Sequence, residues 1–431
     1  MVISAGPAPF IGQHTLVILL LQLAVLLAMA AALGWVARRV GLPSIVGELI
    51  AGVVLGPSIL GGALPDLQAW IFPADAVQQN LLDAIGQFGV ILLVGLAATE
   101  LDTRFIRRRV GVVASVSGFA FAIPLALGVG AGFLMPQSLI GEGASTTVFA
   151  LFLGTALSIS AIPVIAKILT EMKLLHRNVG QVIFASGTID DALGWIILAV
   201  TSSMATVGVR AGDVMQAVGY TIGSLVVALW VMRPIARRFL DKFEASEQRG
   251  HIGIVVAALI FGCAAITQAM HLESILGAFL AGLIVGQRKP ELLAPLRMVT
   301  MTILAPIFLA TAGLRVDLGE LAHLDVLLAG LVILVLAIAG KFVGAYVGAR
   351  LVRQPRWEAV ALGAGLNARG AVEIVIAMVG LRIGVLTTAT YTIVVLVAIV
   401  TSIMAPPLLK IAMSRVDHSE EEMVREKLRS V

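Results

Sequence analysis

The chain has 431 residues, of which 59% are hydrophobic and only 13% charged. A soluble chain carries about 25% charged residues, so a set of soluble domains is excluded. Apolar runs of about 20 residues recur from end to end, each long enough to cross a hydrocarbon core of about 30 Å.

In chain order the apolar runs predict thirteen spans: 15–37, 43–62, 81–101, 110–134, 146–170, 179–205, 214–236, 251–270, 272–287, 298–314, 324–349, 357–381 and 387–411. The fold class is an all-α polytopic membrane protein. Spanning strands would alternate in segments of about 10 residues, and these runs do not. Cys263 is a single cysteine inside an apolar run, which excludes an internal disulfide and a cysteine metal set. No Lys or Arg precedes Arg38, so the start lacks the charged region of a cleaved signal peptide.

The connections divide by charge. Arg38–Arg39, the RFIRRR run, Lys173 and Arg177, the RRFLDKFEASEQR loop, QRKPE and RLVRQPR fall on one side. The other side holds PDLQAWIFPADAVQQN, MPQSLIGEG and short links near Arg210, Arg315 and Arg382. Cytosolic loops carry the excess of basic residues, which predicts an external N-terminus and a cytosolic C-terminus. The net charge of +4 then follows from topology and calls for no nucleic-acid partner. The tail HSEEEMVREKLRS is expected to be a solvated helix or disordered.

An internal repeat joins the two halves. SIVGELIAGVVLG (44–56) resembles SILGAFLAGLIVG (274–286), with Ser, Ile, Gly, Ala, Gly and Gly identical. TELD (99–102) resembles LRVD (314–317), and GTALSISAIPVIA in span five aligns with GAGLNARGAVEIV in span twelve. Matching spans lie an odd number of spans apart, so the halves are inverted, a transporter signature whose site lies near the midplane. Spans five and twelve are both interrupted by small and polar residues: Thr155, Ser158, Ser160 and Pro163 in one, Gly363, Gly365, Asn367 and Gly370 in the other. Proline removes a backbone donor, and non-helical backbone at membrane depth is tolerated only where it is buried or lines a cavity. Both spans are therefore expected to break there.

Charges inside spans are costly and usually functional. Asp190 and Asp191 sit side by side about 17 Å into span six at 1.5 Å per residue. Two adjacent carboxylates cannot easily both be ionised at that depth, so a proton or a cation must share the site. A hard cation takes carboxylate, hydroxyl and carbonyl oxygens, and Lys341, a lone lysine in span eleven, is a ready partner for a carboxylate. Arg369 and Glu373 stand four apart on one helix face and read as an ion pair bracing the break. Lys167, near the cytosolic end of span five, is expected to snorkel.

Taken together, VGELIAGVVLGPSILG, LLVGLAATELD, GTALSISAIPVIAKILTEMKLL, the IDDALG core, GAFLAGLIVG, PIFLATAGLRVDL, GKFVGA and ARGAVEIVIAMVGLRIGVL resemble the second branch of the monovalent cation:proton antiporters. That branch includes bacterial sodium/proton antiporters, potassium-efflux systems and plant cation/proton exchangers. The resemblance runs from about residue 15 to about 413. It implies the sodium/proton antiporter fold, an inverted repeat with two crossed discontinuous helices in a transmembrane domain over 1–413. Core helices (about 81–205 and 298–411) would slide against dimerisation helices (about 15–62 and 251–287), with a linker helix at about 214–236 and a short cytosolic tail at 414–431. Asp191 would be the main cation- and proton-binding carboxylate and Asp190 the partner of Lys341. Thr155 and Ser158 would approach the site from the broken helix.

The implied function is secondary antiport of a monovalent cation (sodium, with lithium or potassium as further candidates) against protons by an elevator, with no enzyme activity and no cofactor. The resemblance and the Asp-Asp-Lys set both point to electrogenic exchange. The implied setting is the bacterial inner membrane, as a homodimer in which the Gly-rich faces of spans two and nine allow close approach. Two departures bear on the ion: the first broken helix carries only hydroxyls where some relatives have an acid, and no nucleotide-binding domain of the potassium-efflux type is present. ALSISAIPVIAKIL is closer to the plant type, which leaves potassium/proton exchange as the alternative. A sodium-coupled solute symporter on the same fold is the lesser one.

Overall fold

The computed structural model describes residues 11–99, 109–174, 177–207, 219–220, 222–224, 226–245, 252–270, 272, 274–286, 290–417 and 422. The RFIRRR run up to Arg108, the Asp102 end of the TELD match, the Arg210 link, the start of span seven, the Lys167 side chain and most of the tail lie outside them.

The chain runs as α1 (Gln13–Arg39), α2 (Ser44–Leu55), α3 (Pro65–Ile71), α4 (Ala76–Thr99), α5 (Val110–Leu134), α6 (Thr146–Ser158), α7 (Ile162–Glu171) and α8 (Asn178–Val207). It continues as α9 (Arg233–Ala245), α10 (Ile252–Ala269), α11 (Ser274–Val285), α12 (Pro290–Val299), α13 (Ala305–Leu314), α14 (Leu324–Leu351), α15 (Arg356–Leu366), α16 (Ala371–Arg382) and α17 (Thr388–Met413). Short π segments prolong α2 and join α12 to α13. Nine helices among the described residues are long and apolar enough to span, and Thr146–Ser158 and Ser274–Val285 are shorter apolar helices. The expected count of thirteen is not reproduced as such. Spans five and twelve are each two half-helices, and span seven is only partly described. The chain is an integral multi-pass membrane protein.

Helix ends follow local chemistry. Arg38 and Arg39 close the last turn of α1, where cations offset the helix dipole. The Ser145 hydroxyl accepts the Val148 N–H at the start of α6, and Thr387 accepts from Thr390 at the start of α17, satisfying donors that a helix start leaves without partners. Pro163 proves to be an initiator rather than a kink, because it occupies the second position of α7, where its missing N–H removes no helical bond. PDLQAWI, expected as plain connection, forms α3 with its proline at the helix start.

The repeat seen in the sequence is realised in packing. A Cβ on Gly47 of α2 would stand 2.2 Å from the Leu33 carbonyl oxygen of α1, and one on its counterpart Gly277 of α11 would stand 2.2 Å from that of Cys263 on α10. Likewise Gly52 meets Ala310 of α13 at 1.9 Å, while Gly282 meets Gly95 of α4 at 2.2 Å. The two halves use the same glycines for the same close approaches. These Gly-rich faces are therefore spent inside the protomer, and their expected use between protomers is corrected.

One consequence is measurable. Gly282→Ala should lower the unfolding temperature in detergent, at a cost of about 1–3 kcal/mol for forcing packed helices apart. Gly262→Ala on α10, with open space around it, should be neutral or slightly stabilising. Equal melting of both variants and wild type would contradict the packing.

Candidate functional site

The site is assembled where the two broken spans cross. Between α6 and α7, Ile159–Ala161 leave the helix; between α15 and α16, Asn367–Gly370 do the same. The breaks bond each other directly, since Ala161 N–H donates to the Ala368 carbonyl at 3.1 Å. Gly370 has φ +154°, and a Cβ there would lie 2.6 Å from Val164, so the crossing admits only glycine without strain.

Each half-helix leaves carbonyls without helical partners, and buried cations take them up. Arg369 donates to the carbonyls of Ala156 (3.3 Å) and Leu157 (2.6 Å) at the end of α6, and to Ala337 of α14 (2.9 Å). Lys341 donates to the next carbonyl, Ser158. The expected Arg369–Glu373 pair is present at 3.2 Å, buried on both sides. Its guanidinium does the bracing, because positive charge belongs at a helix C-terminus. Ser402 donates to the Arg369 carbonyl.

Asp190 and Asp191, adjacent in α8, occupy different environments. Asp190 is saturated: Ser117 of α5 donates to Oδ1 at 2.8 Å, while Ser160 (3.1 Å) and Lys341 (2.5 Å) donate to Oδ2. Neither Asp190 nor Lys341 is exposed at all. Such a pair is held in a low dielectric by further hydrogen bonds, and here Ser117, Ser160 and the Ser158 carbonyl supply them. The close packing of α5 on α14 makes this possible, with Gly344 set against the Phe119 carbonyl and Gly348 against that of Ser115.

Asp191 is the opposite case. Ile162, the first residue of α7, lines the same small cavity as Asp191, so a half-helix N-terminus faces it. Its Oδ1 has no hydrogen-bond partner among the described residues. Asp191 lines a small cavity of about 10 Å³ with Leu93, Val94, Ile162, Trp195, Phe279 and Val375, about the room for one water. Val375 also lines a larger vestibule of about 380 Å³, which holds Asp83, Arg315 and Arg382. Val90 in the vestibule and Val94 in the small cavity are one turn apart on α4, so the two spaces adjoin. A buried carboxylate oxygen with no partner, facing a half-helix end and a polar vestibule, suits a proton or a small cation.

Of the residues singled out in the sequence, Asp190, Asp191, Lys341, Arg369 and Glu373 converge on the crossing. Thr155 and Ser158 are buried there too, but their hydroxyls turn back on their own helix, to the Leu151 (2.7 Å) and Thr155 (2.9 Å) carbonyls. Ser158 contributes its carbonyl instead. Sequence reading missed Ser117 as a site residue and treated Ser160 only as an interruption. A hydroxyl inside an apolar span such as VASVSGFAF is the only signal for Ser117. It also missed Asp83, whose carboxylate pairs with Arg315 across the vestibule.

The tail is corrected as well. Glu422 is buried, accepting from Arg177 at 3.1 Å and from the Asn178 N–H at the start of α8. Arg177 further donates to the Val416 and Asp417 carbonyls. A carboxylate satisfies the donors and dipole of that helix start, so this part of the tail is docked.

Comparison with known proteins bears on the arrangement. The structure is similar to that of the sodium proton antiporter MjNhaP1 from Methanocaldococcus jannaschii, with a TM-score of 0.71, 15% identity and coverage of 93% of this chain and 99% of that one. That likeness establishes the shared fold. In sequence the chain is 31% identical to the Na(+)/H(+) antiporter NhaS4 of Synechocystis sp., covering 92% of this chain and 97% of the relative. It is 28% identical to Cation/H(+) antiporter 18 of Arabidopsis thaliana over 90% of this chain, which spans only 48% of that longer relative. Residues 24–415 match the family described as sodium/hydrogen exchanger, transmembrane. A crossing of broken helices around buried charges, a shared fold and a match over nearly the whole chain agree, and the chain belongs to the sodium/hydrogen exchanger transmembrane family.

Proposed function

We propose that the protein exchanges a monovalent cation for protons across a membrane, with Asp191 as the shared binding group. The observation that carries this is the contrast within the pair: Asp190 is saturated by Lys341, Ser117 and Ser160, whereas Asp191 keeps an oxygen without a partner beside a cavity. A proton and a cation compete for that oxygen, so binding one expels the other. Carbonyls of the break and the Thr155 and Ser158 hydroxyls lie within the same crossing to complete a cation's shell after small rotations. The names of the relatives, Na(+)/H(+) and cation/H(+) antiporters, support the same reading.

Alternation follows if the crossed helices move as a body, an elevator of core helices about 81–205 and 298–411 against helices about 15–62 and 251–287 in a homodimer. Competition becomes obligatory exchange if an empty, charged site crosses poorly, as the cost of central charge implies. The basic-residue asymmetry supports an external N-terminus, in a bacterial inner membrane. A solute symporter is disfavoured, since a cavity of about 10 Å³ at Asp191 has no room for an organic substrate.

The test is proton flux in proteoliposomes with sodium, lithium and potassium added in turn. Saturable proton movement is expected with sodium or lithium. A response to potassium alone would instead assign potassium/proton exchange, and no response to any of the three would refute antiport.

A further inference from the structure

Gln79, Asp83 and Gln87 recur every fourth residue on α4, and all three line the vestibule. Residues four apart share a helix face. Thr311 and Arg315, also four apart, line it from α13. Beside the vestibule lies a second space of about 170 Å³, and Gln79, Asp83, Thr311 and Arg315 line both. The Asp83–Arg315 pair is open to water, with side chains 34% and 37% exposed. An ion pair so exposed contributes little, so a cation arriving from water can take the guanidinium's place. Thr311, by contrast, is only 4% exposed, and its hydroxyl has no hydrogen-bond partner among the described residues. Thr155, Thr201, Thr267, Thr300 and Thr401 each donate to the carbonyl four residues back, and Thr311 does not. A buried hydroxyl without a partner carries a desolvation cost, which a ligand would offset.

We propose that Asp83, the Thr311 hydroxyl and the side-chain oxygens of Gln79 and Gln87 form a second site for a monovalent cation, a holding site on the approach to Asp191. Arg315 is the competitor that occupies the carboxylate between ions. The identity of the ligand rests on the antiport reading, whereas the grouping of these residues does not. A hard cation takes carboxylate, hydroxyl and amide oxygens, and each kind is present here. The α4 face that carries the three polar side chains continues to Val90 in the vestibule and to Val94 beside Asp191. Asp83 and Val94 are about 16 Å apart along the helix axis at 1.5 Å per residue, so the holding site precedes the central one on a single helix face. Arg382 of α16 lines the same vestibule, and a cation therefore settles on the Asp83 side of it.

A cation site and a purely structural ion pair differ in the sign of their mutational effects. Breaking a structural pair from either side does the same harm, whereas here the two partners act oppositely. With the transported cation supplied at the vestibule side of proteoliposomes, Asp83→Asn should raise its apparent KM about tenfold, the loss of one charged ligand, with the change falling on KM rather than kcat. Arg315→Gln should lower KM about threefold, the worth of one exposed ion pair. Thr311→Val changes no charge and should raise KM about threefold, with recovery in Thr311→Ser, because a hydroxyl ligand is lost and regained. That neutral substitution separates direct ligation from attraction at a distance. A second measurement needs no transport. Sodium-23 NMR of the full-length Asp191→Asn protein in nanodiscs, at constant ionic strength held with choline chloride, should still show sodium line broadening. Adding Asp83→Asn or Thr311→Val to that background should reduce it.

Sodium broadening that is unchanged by Asp83→Asn in the Asp191→Asn background overturns the holding site. So do KM shifts of the same sign for Asp83→Asn and Arg315→Gln, which would make the pair structural. Should Asp83→Asn fail to fold, Thr311→Val carries the same comparison in both measurements. Absence of cation-dependent flux in wild type would remove the antiport reading alone, and the sodium spectra would still decide whether the vestibule holds a cation.

Discussion

Asp191→Asn should abolish cation-dependent proton flux while leaving a folded, membrane-inserted protein. The amide keeps the size of the carboxylate, so the local backbone has no reason to rearrange. What it removes is the charge. A cation stripped of water near the bilayer centre without a counter-charge costs on the order of 3 kcal/mol, about a hundredfold in affinity. The amide also has no proton to exchange, so both halves of the competition fail together. The measurement is sodium-dependent dequenching of a pH dye in proteoliposomes, beside a melting curve for the same preparation. Flux within a few-fold of wild type would end the competition model. Lost flux with a collapsed melting curve would make Asp191 structural instead.

Lys341→Ala should have two separable effects. The first is on stability. Removing one partner of a buried pair leaves an uncompensated charge and costs about 3–5 kcal/mol, and here the Ser158 carbonyl is orphaned as well. The double variant Asp190→Asn with Lys341→Met should recover much of that loss, because neither buried charge remains. The second effect is on coupling. If a single cation on Asp191 displaces a proton there and a further proton leaves the Asp190–Lys341 pair, two protons move for one cation and each cycle carries net charge. A membrane potential imposed by potassium and valinomycin, with no pH gradient, should then drive sodium movement by the wild type. Neither Lys341→Ala nor the stabilised double variant should respond to it. A wild type indifferent to potential would mean one-for-one exchange, and a double variant that still responds would place the second proton elsewhere.

The vestibule clarifies why the two aspartates diverge despite being neighbours. Successive residues on a helix point about 100° apart, so one carboxylate can face the bundle and the other a cavity. Asp190 points at α5 and α14, which supply Ser117 and Lys341. Asp191 lines a cavity with Leu93, Val94 and Val375, beyond which lies the polar vestibule around Asp83 and Arg315. The same adjacency that made the pair conspicuous in the sequence therefore yields one carboxylate paired with Lys341 and one with an oxygen that has no partner among the described residues.

Much was legible before any coordinates. Apolar length set the spans, because a hydrocarbon core imposes a minimum run on any helix that crosses it. The recurrent glycines of 44–56 and 274–286 marked the repeat, and Asp190, Asp191, Lys341, Arg369 and Glu373 stood out because charge is costly at membrane depth. Interruptions in spans five and twelve were visible because both carry small and polar residues where apolar ones would be expected. Other features depend on contacts between residues far apart in the chain, and no local pattern encodes them. Only the tertiary structure decided that Pro163 begins a half-helix, that Arg369 and Lys341 cap successive carbonyls of α6, and that the Thr155 and Ser158 hydroxyls bond their own helix. It likewise decided that the glycine faces close against helices of the same protomer and that Glu422 docks on Arg177. Hydrophobicity and charge are properties of single residues and survive in the sequence. A hydrogen bond depends on where a donor finds its acceptor, and for Ser117, Ser160 and Asp190 that is settled only when two helices and the break between α6 and α7 meet.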